Sequence, residues 1–458
     1  MRNGSESLSA GQPVDYGAST SFGGPIWGAL TSTPLLCMVN ERPHRCGETY
    51  PHKFVEQQPP LDIQLGGEVA RVELKVRRQW KATTAFAAAA LTVMAAMPLA
   101  QSDAGASTRA NKSPYVIGAI FVLSGPAAFV GQEAEEGMQI AIKDINAKGG
   151  INGHPLKAVY LDCGLVATTA VTDLAKLKSE GVKFLVTQAS PIVAALKPLV
   201  YQDKILTINQ AATDPTIADA GEYMFTNIAT ANTEAKSLVG YIKAKTNVKS
   251  IGFLVDSTSI GESAQAGMEK YMKKAGIAVA GTQTYAEGTT DFSSQLVALK
   301  AANPDAIFMD DTGPSVTVNI LQEAKSLGIT VPFFSNTFFN APTLPSMAGS
   351  LINGVTFDEV GFNPHLNAVA SRLQTQYHKA GYKGVAPIYT ATAFDAVGIM
   401  ANAMKEVGYN SVAAREKIVT LKNYVGATGL LQFNKAGQVS MPVEIDQVRN
   451  DQYVTIEK

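Results

Sequence analysis

Short apolar runs alternate with longer amphipathic segments from residue 115 onward. Residues 115–123 (YVIGAIFVL) form a continuous apolar run, which is typical of a buried strand. Between residues 138 and 145 the apolar positions are spaced three and four apart, which predicts one face of a helix. The glycine pair at 149–150 predicts the end of that helix. This stretch therefore predicts a strand followed by a helix.

The same scheme repeats along the chain. In the first half it predicts strands at 156–163, 182–188 and 205–210 with helices at 168–180 and 191–202. In the second half it predicts strands at 250–256, 278–285, 306–311, 331–336 and 354–360 with helices at 261–275, 291–299 and 314–327. Because strands and helices alternate in two successive series, we expect an α/β protein with two doubly wound parallel-sheet lobes.

Hydroxyl residues stand beside prolines at the ends of four predicted strands. These turns contain Ser124, Ser190, Thr213 and Thr312. A hydroxyl residue at the cap and a proline in the first turn are typical of a helix start. Helix starts at the carboxyl ends of parallel strands direct N–H groups into the crevice where such sheets bind ligands, and these groups favour anions. Each turn taken alone is equally compatible with a cap that binds nothing.

The segment from residue 76 to residue 106 has the order of an export signal. A basic zone precedes an uncharged apolar zone, and a small-residue zone (Ala104-Gly105-Ala106) follows. A membrane anchor is the alternative, but Pro98 and threonines interrupt the apolar run. We therefore expect a signal peptide, cleaved near residues 100–106, and a periplasmic protein.

Residues 1–75 show neither sustained helical periodicity nor strand alternation. Their richness in Gly, Pro, Ser and Gln is typical of disorder or of sequence that is not translated. Our hypothesis is that translation begins near Val72 or Val76, and the alternative is a disordered leader.

Composition narrows the possible partners. Lysine and arginine number 38 against 39 aspartates and glutamates, so no charge excess indicates a nucleic-acid partner. After signal cleavage about 350 residues remain, which suits two domains. Cys163 would then be the only cysteine, because Cys37 and Cys46 lie in the leader, and we expect it to be buried and unpaired.

Signatures of catalysis are missing from the expected mature sequence. Its three histidines, His154, His365 and His378, are not spaced as a metal pair, and no HExxH, P-loop or GxSxG motif occurs. We therefore expect a binding protein that uses no metal or cofactor.

Several motifs identify a resemblance. They are LSGPAAFVGQEAEEGMQIAIKDINAKGGINGHPLK, EGVKFLVTQASP, INQAATDPTIA, TTDFSSQLVALKAANPDAIF and GLLQFNKAGQ. Through them, residues 113–458 resemble the type I periplasmic ligand-binding proteins of ABC transporters, in the leucine/isoleucine/valine-binding family.

The resemblance implies two lobes joined by a three-strand hinge. Lobe 1 would comprise 113–232 plus 361–429, and lobe 2 would comprise 233–360 plus 430–458. The chain would cross between them near Asn232, Gly361 and Gly429.

The resemblance also implies roles for particular residues. Ser190 and a helix start would hold the ligand carboxylate, and the Ala211 carbonyl with Thr213 would hold an amino group. The ligand would bind lobe 1 first, and lobe 2 would then close through Ile260, Thr312 and Phe338. A permease of the inner membrane would recognise the closed, monomeric protein.

Three positions depart from the family pattern. Ile260 and Val130 stand where the family has aromatic residues, and Thr337 stands where it has the acid that neutralises the ligand ammonium. Asp256 or the pair Asp310-Asp311 could supply that charge, although such residues often cap helices.

These departures determine the expected ligand. We expect a small carboxylate, with an aromatic or short-chain organic acid slightly favoured over a branched-chain amino acid. A ligand-sensing receptor of the same fold is the alternative function, and a hydrolytic enzyme is the alternative from another class.

Overall fold

The structure, a computed structural model, describes residues 112–310 and 312–458. The predicted leader (1–75) and signal peptide (76–106) lie outside the described residues, together with Cys37, Cys46 and Asp311.

The described residues form strands at most of the positions that the apolar runs predict. In chain order the strands are β1 Tyr115–Phe121, β2 Leu156–Asp162, β3 Phe184–Thr187, β4 Leu206–Asn209, β5 Met224–Thr226, β6 Ser250–Asp256, β7 Ala278–Tyr285, β8 Ala306–Met309, β9 Phe333–Ser335, β10 Thr356–Glu359, β11 Tyr424–Gly426, β12 Gly429–Leu431, β13 Glu444–Arg449 and β14 Gln452–Glu457.

Helices occupy the amphipathic segments between these strands. They are α1 Ala128–Ala147, α2 Ala167–Ser179, α3 Ser190–Asp203, α4 Ala231–Lys245, α5 Ser259–Ala275, α6 Ser293–Ala302, α7 Pro314–Ser326, α8 Leu344–Ala348, α9 Ala368–Lys379, α10 Ile388–Val407 and α11 Ser411–Val419. Short 3₁₀ turns lie at Ala220–Glu222, Thr337–Phe339 and Gly349–Ile352.

The first five strands form the sheet of the first lobe. Their order is β2-β1-β3-β4-β5, and every neighbouring pair is parallel. Residues of β3 and β4 are fully buried, because helices cover both faces of the sheet, as in other parallel sheets. The longest helices of this lobe, α1 and α10, pack together on one of these faces.

The second lobe contains a seven-stranded sheet. Its order is β14-β13-β10-β9-β8-β6-β7, in which the strands from β6 to β10 are parallel. The last two strands run antiparallel, and β13 pairs with β10. The expected fold class, α/β with two parallel-sheet lobes, is confirmed, and the antiparallel edge is an addition that the periodicity did not predict.

Between the two sheets the chain passes three times in the described residues. It leaves the first sheet after β5, returns to the first lobe after β10 at α9, and enters the second sheet again at β13. Before the last passage, Gln438 bridges to Thr226 at the edge of the first sheet.

The four hydroxyl-and-proline turns differ in whether a helix starts at them. Helix α3 starts at Ser190 itself, with Ala189 at the cap, and Gly313 rather than Thr312 caps α7. Helix α1 starts at Ala128, beyond the turn of Ser124, and no helix starts at Thr213. The helix-start prediction was therefore wrong at Thr213, because residues 210–219 form a loop held by Asn209 rather than a helical turn.

Within the described ranges, no helix combines the length and the apolar character that crossing a membrane requires.

Candidate functional site

A small cavity lies between the two lobes, and we name it the cleft cavity. Five residues that the sequence predicted to bind ligand line it: Val130, Ala211, Ile260, Thr312 and Phe338. Its other lining residues are Val122, Ala127, Leu165, Gln188 and Ala189. Its volume is about 20 Å³, room for roughly one water molecule, so a larger ligand requires the lobes or side chains to move.

Both lobes contribute to the cleft cavity from the carboxyl ends of their strands. Val130 lies in the first turn of α1, after β1, and Ala211 follows β4. From the second lobe, Ile260 lies in the first turn of α5, after β6, and Thr312 follows β8. This edge of a parallel sheet is where open α/β proteins bind ligands.

Glycines allow Val130 and Ile260 to reach this position. A Cβ on Gly131 would lie 2.1 Å from the carbonyl oxygen of Val122, and one on Gly261 would lie 2.3 Å from that of Asp256. Each helix start therefore packs directly against the end of its preceding strand, and only glycine permits that approach.

Ser190 lies next to the cleft cavity, in the first turn of α3, and only 1% of its surface is exposed. Its hydroxyl accepts a 3.4 Å hydrogen bond from the N–H of Asp214. The preceding residue, Ala189, has a φ of 64°, which is unfavourable for a residue with a Cβ. Such strain clusters at functional sites, and here it aims the N-terminus of a 14-residue helix at the cleft.

Ala211 and Thr213 lie in the loop after β4. The side chain of Asn209 accepts hydrogen bonds from the N–H groups of Ala211 (3.2 Å) and Ala212 (2.7 Å), which fixes the start of this loop. Thr213 is buried, and its carbonyl accepts a 2.8 Å hydrogen bond from the N–H of Ala231. Only Ala211 of the two lines the cleft cavity.

A buried amide pair borders the cleft cavity and was not found from the sequence. The side-chain amides of Gln188 and Gln210 lie 2.9 Å apart, and the hydroxyl of Thr392 in α10 donates to Gln210 over 2.7 Å. Both glutamines directly follow the apolar runs of β3 and β4, so a search for polar residues at strand ends would have detected them.

Ser124 is exposed and does not line the cleft cavity. Its hydroxyl bonds to the carboxylate of Asp162, and its expected place in the ligand site stays a prediction. Partial burial raises the pKa of Asp162, but hydrogen bonds from Ser124 and from the N–H groups of Leu123 and Gly164 outweigh it and hold the pKa below its usual range.

Thr337 is buried and faces a different cavity from that of Phe338. Its hydroxyl donates to a carboxylate oxygen of Glu359 over 3.3 Å. Burial is the main cause that raises the pKa of Glu359 to about 8; a hydrogen bond from Asn340 opposes the rise, and the carboxyl of Asp446 adds to it. A carboxyl group thus stands beside the position at which the sequence lacks an acid, but it comes from β10.

Of the aspartates considered as substitutes, Asp256 and Asp310 are held within the second lobe, and Asp311 lies outside the described residues. Asp256 accepts hydrogen bonds from the N–H and the hydroxyl of Thr258 at the start of α5. Asp310 accepts a hydrogen bond from the side-chain amide of Asn336. Neither lines the cleft cavity.

Cys163 follows β2 and is buried, as the sequence predicted. Burial raises the pKa of its thiol to about 11, so the thiol is a poor nucleophile. In the described part of the chain, no three His, Cys, Asp or Glu residues stand close enough to hold a metal ion.

A family of proteins described as "periplasmic binding protein" matches residues 114–452 of this chain. Among curated proteins, the chain is 25% identical over 325 residues to the leucine-, isoleucine-, valine-, threonine- and alanine-binding protein of Pseudomonas aeruginosa. That alignment covers 69% of this chain and 85% of the relative.

Two solved structures show the same fold. The branched-chain amino acid transporter substrate-binding protein of Streptococcus pneumoniae, in complex with isoleucine, has a TM-score of 0.67 and 22% identity, covering 75% of this chain and 100% of its own. An ABC-transporter solute-binding protein of R. palustris, in complex with benzoate, has a TM-score of 0.67 and 17% identity, covering 75% and 96%.

The family match spans both sheets of the described fold, and the strand ends of the two lobes meet at one cavity. The chain therefore belongs to the type I periplasmic binding proteins, in the leucine/isoleucine/valine-binding family.

Proposed function

We propose that this chain is the periplasmic solute-binding component of an ABC transporter of the branched-chain amino acid type. It captures a small carboxylate between its lobes and delivers it as a monomer to a membrane permease. The main support for this proposal is that Ser190, at a strained helix start, lies next to a cavity lined from both lobes. Ligands in this fold class bind at that edge of the sheet.

The carboxylate end of the ligand belongs at Ser190. The first turn of α3 has N–H groups without partners inside the helix, and these groups attract anions. The buried hydroxyl of Ser190 adds a donor. A carboxylate placed here is held by hydrogen bonds of the charge-assisted kind, which are stronger than neutral ones.

The remainder of the ligand belongs in the cleft cavity, where it meets aliphatic and aromatic side chains. Val130, Ile260 and Phe338 line it, and none of its described lining residues is ionisable. A buried ammonium group needs a compensating charge, and its absence costs several kcal/mol. An organic acid without an amino group, aromatic or short and branched, therefore suits the cavity better than an amino acid.

Relatives support this range of ligands. One neighbour in the same fold is in complex with isoleucine and another with benzoate. The family thus accommodates both a zwitterion and an aromatic acid on one scaffold.

Closure of the lobes is the proposed mechanical step. A cavity of about 20 Å³ is too small for any of these ligands, so binding requires an opening of the cleft. The ligand then binds the lobe formed by 113–232 plus 361–429. The lobe formed by 233–360 plus 430–458 closes over it, and hinge closure is the usual response in this fold.

Calorimetric titration with matched ligand pairs tests the proposal. The pairs are phenylpropionate with phenylalanine and 4-methylpentanoate with leucine. We expect tighter binding of the member without the amino group in each pair. Consistently tighter binding of the amino acids would contradict the ligand class, and binding of none would contradict a carboxylate-binding function. Binding should raise the melting temperature without turnover of the ligand.

A further inference from the structure

A second cavity, larger than the cleft cavity, lies between the lobes on the side of Thr337. Its volume is about 490 Å³, within the range of small-molecule sites. Four carboxyl side chains line it: Glu133 from α1, Glu359 from β10, and Glu444 and Asp446 from β13. We name it the acidic cavity. Among the described residues that line it, none is a lysine, an arginine or a histidine.

Several polar atoms of this cavity have no hydrogen-bond partner within the described residues. They are Oε1 of Glu133, the hydroxyl of Tyr389 and Oδ1 of Asp446. The exposed fractions of these residues are 7%, 3% and 7%. Burying a polar group without a partner costs free energy, and few native groups remain in that state. These atoms therefore point to a bound group that donates hydrogen bonds.

Most of the carboxyls in the cavity also lack a basic partner. Glu359 stands directly opposite Glu444 across the β10–β13 pair, an arrangement that destabilises a sheet when both are ionised. The nearest ion pair involves Glu444 and Lys458, 3.6 Å apart, and the side chain of Lys458 is 76% exposed. One exposed lysine thus pairs with Glu444, and none of the described residues that line the cavity is a base for the other three carboxyls.

We propose that the acidic cavity binds a small aliphatic amine in its ammonium form. An ammonium group donates three hydrogen bonds, which matches the unpartnered oxygens. A metal ion fits less well, because no group of metal-ligating residues in the described ranges has the required spacing. Val385, Pro387 and Ile388 supply apolar walls for a short aliphatic chain.

The acidic cavity is separate from the proposed carboxylate site. Phe338 lines the cleft cavity and Tyr389 lines the acidic cavity, and their ring centroids lie 6.3 Å apart. The acidic cavity also draws Glu133 and Tyr389 from the first lobe and Glu359 from the second. An amine bound there contacts both lobes, so it stabilises one arrangement of the lobes over others.

Calorimetry with simple probes tests this site. Unbranched monoamines of two to six carbons are titrated in phosphate buffer, with butan-1-ol and butanoate as uncharged and anionic controls. We expect the amines to bind and the controls not to bind. Glu133→Gln and Glu359→Gln should each weaken amine binding at least tenfold, because each removes a charged acceptor. Glu180→Gln, an exposed carboxyl at the end of α2, should have no effect.

Protonation provides a second readout. Glu359 is surrounded by Glu133, Glu234, Asp358, Glu444, Asp446 and Tyr389. Burial raises the pKa of Glu133 and of Glu359, so an ammonium ion must displace protons when it binds. Amine affinity should therefore rise as the pH rises through about 8, the pKa of Glu359.

Two results would overturn the proposed amine site. Absence of amine binding at concentrations up to about 10 mM, where a weak site is still detectable, would overturn it. Equal affinity in the wild type and the Glu→Gln variants would overturn it as well. If a Glu→Gln variant does not fold, Tyr389→Phe removes only one hydroxyl and should still weaken binding severalfold. The carboxylate titration is run separately, so loss of amine binding leaves the proposed transport function intact.

Discussion

The cleft cavity and the acidic cavity lie at the same lobe interface but differ in chemistry. The first is lined by aliphatic, aromatic and neutral polar residues, without an ionisable side chain among the described ones. The second contains four carboxyls and no described base. Phe338 and Tyr389 are neighbouring rings, one on each cavity.

The two cavities are formed by different parts of the lobes. The cleft cavity is formed by residues at the carboxyl ends of parallel strands, where helix N-termini favour anions. The acidic cavity takes three of its four carboxyls from the antiparallel strand pair β10–β13, and the start of α10 at Ile388 lines it as well. The lobe interface therefore contains two cavities of different charge, because the side chains that line them differ and not the backbone groups that point into them.

The largest expected effect is a pH dependence of the free energy of unfolding, which comes from a buried carboxyl of the acidic cavity. Burial raises the pKa of Glu359 from 4.5 to about 8, so the folded protein keeps a proton that the unfolded chain releases. The contribution of Glu359 to the free energy of unfolding should then fall by about 1.4 kcal/mol per pH unit between about pH 4.5 and about pH 8. Urea unfolding in amine-free phosphate buffer measures this slope.

Glu359→Gln should reduce that slope, whereas Glu180→Gln should leave it unchanged. An identical slope in Glu359→Gln would show that this carboxyl is ionised in the folded protein.

The next largest effect is a loss of stability when the contact between α1 and α10 is overpacked. This contact brings Glu133 and Tyr389 together. In Gly137→Ala the new Cβ would lie 2.0 Å from the carbonyl oxygen of Thr390 in α10. Overpacking of this kind should lower the free energy of unfolding by about 3 kcal/mol. Thermal unfolding measures the loss.

Gly240→Ala is the matched control for this variant. Gly240 lies in α4, and a Cβ there would meet nothing within 4 Å. This change should stabilise the protein by about 0.5–1 kcal/mol, since alanine is the better helix former. Equal losses in both variants would contradict the packing argument.

Beside the cleft cavity, Ser190→Ala and Thr213→Ala should each weaken ligand binding by about 2 kcal/mol, roughly thirtyfold. Thermal stability should change by about 1 kcal/mol or less, as for loss of a single cap or hydrogen bond. Titration calorimetry checks the affinities. Ser124→Ala is the control, because Ser124 is exposed and bonded to Asp162. A loss of affinity in Ser124→Ala would place Ser124 in the site after all.

The smallest effect concerns the aliphatic wall. Val130→Ala should weaken binding of a short branched acid by about 1 kcal/mol, roughly fivefold, because apolar contact is lost. A longer aromatic acid should lose less. Val279→Ala, at a valine that is 45% exposed on β7, should change neither affinity. Competition titrations compare the two acids, and equal losses for both would contradict a wall formed by Val130.

Local patterns predicted the elements and part of the site. The seven residues 250–256 and the eight residues 278–285 are strands at the predicted limits, because apolar runs and turn residues act locally. Thr213 shows where such reasoning fails. Its hydroxyl-and-proline turn matches a helix start, yet Asn209 holds the N–H groups before it in a loop. A hydrogen bond from a neighbouring strand end is not visible in a turn motif.

The sequence by itself determined the alternating α/β fold and the two lobes, because periodicity is a property of short segments. Of the five predicted residues that meet in the cleft cavity, Thr312 came from a strand-end motif and the other four came from the family resemblance. Only the tertiary structure decided that Glu359 stands beside Thr337 and that Glu133, Tyr389 and Asp446 share one cavity. Those residues are up to 313 positions apart, and no local pattern encodes which distant carboxyls are buried together. Their proximity follows from lobe packing and from the antiparallel return of β13.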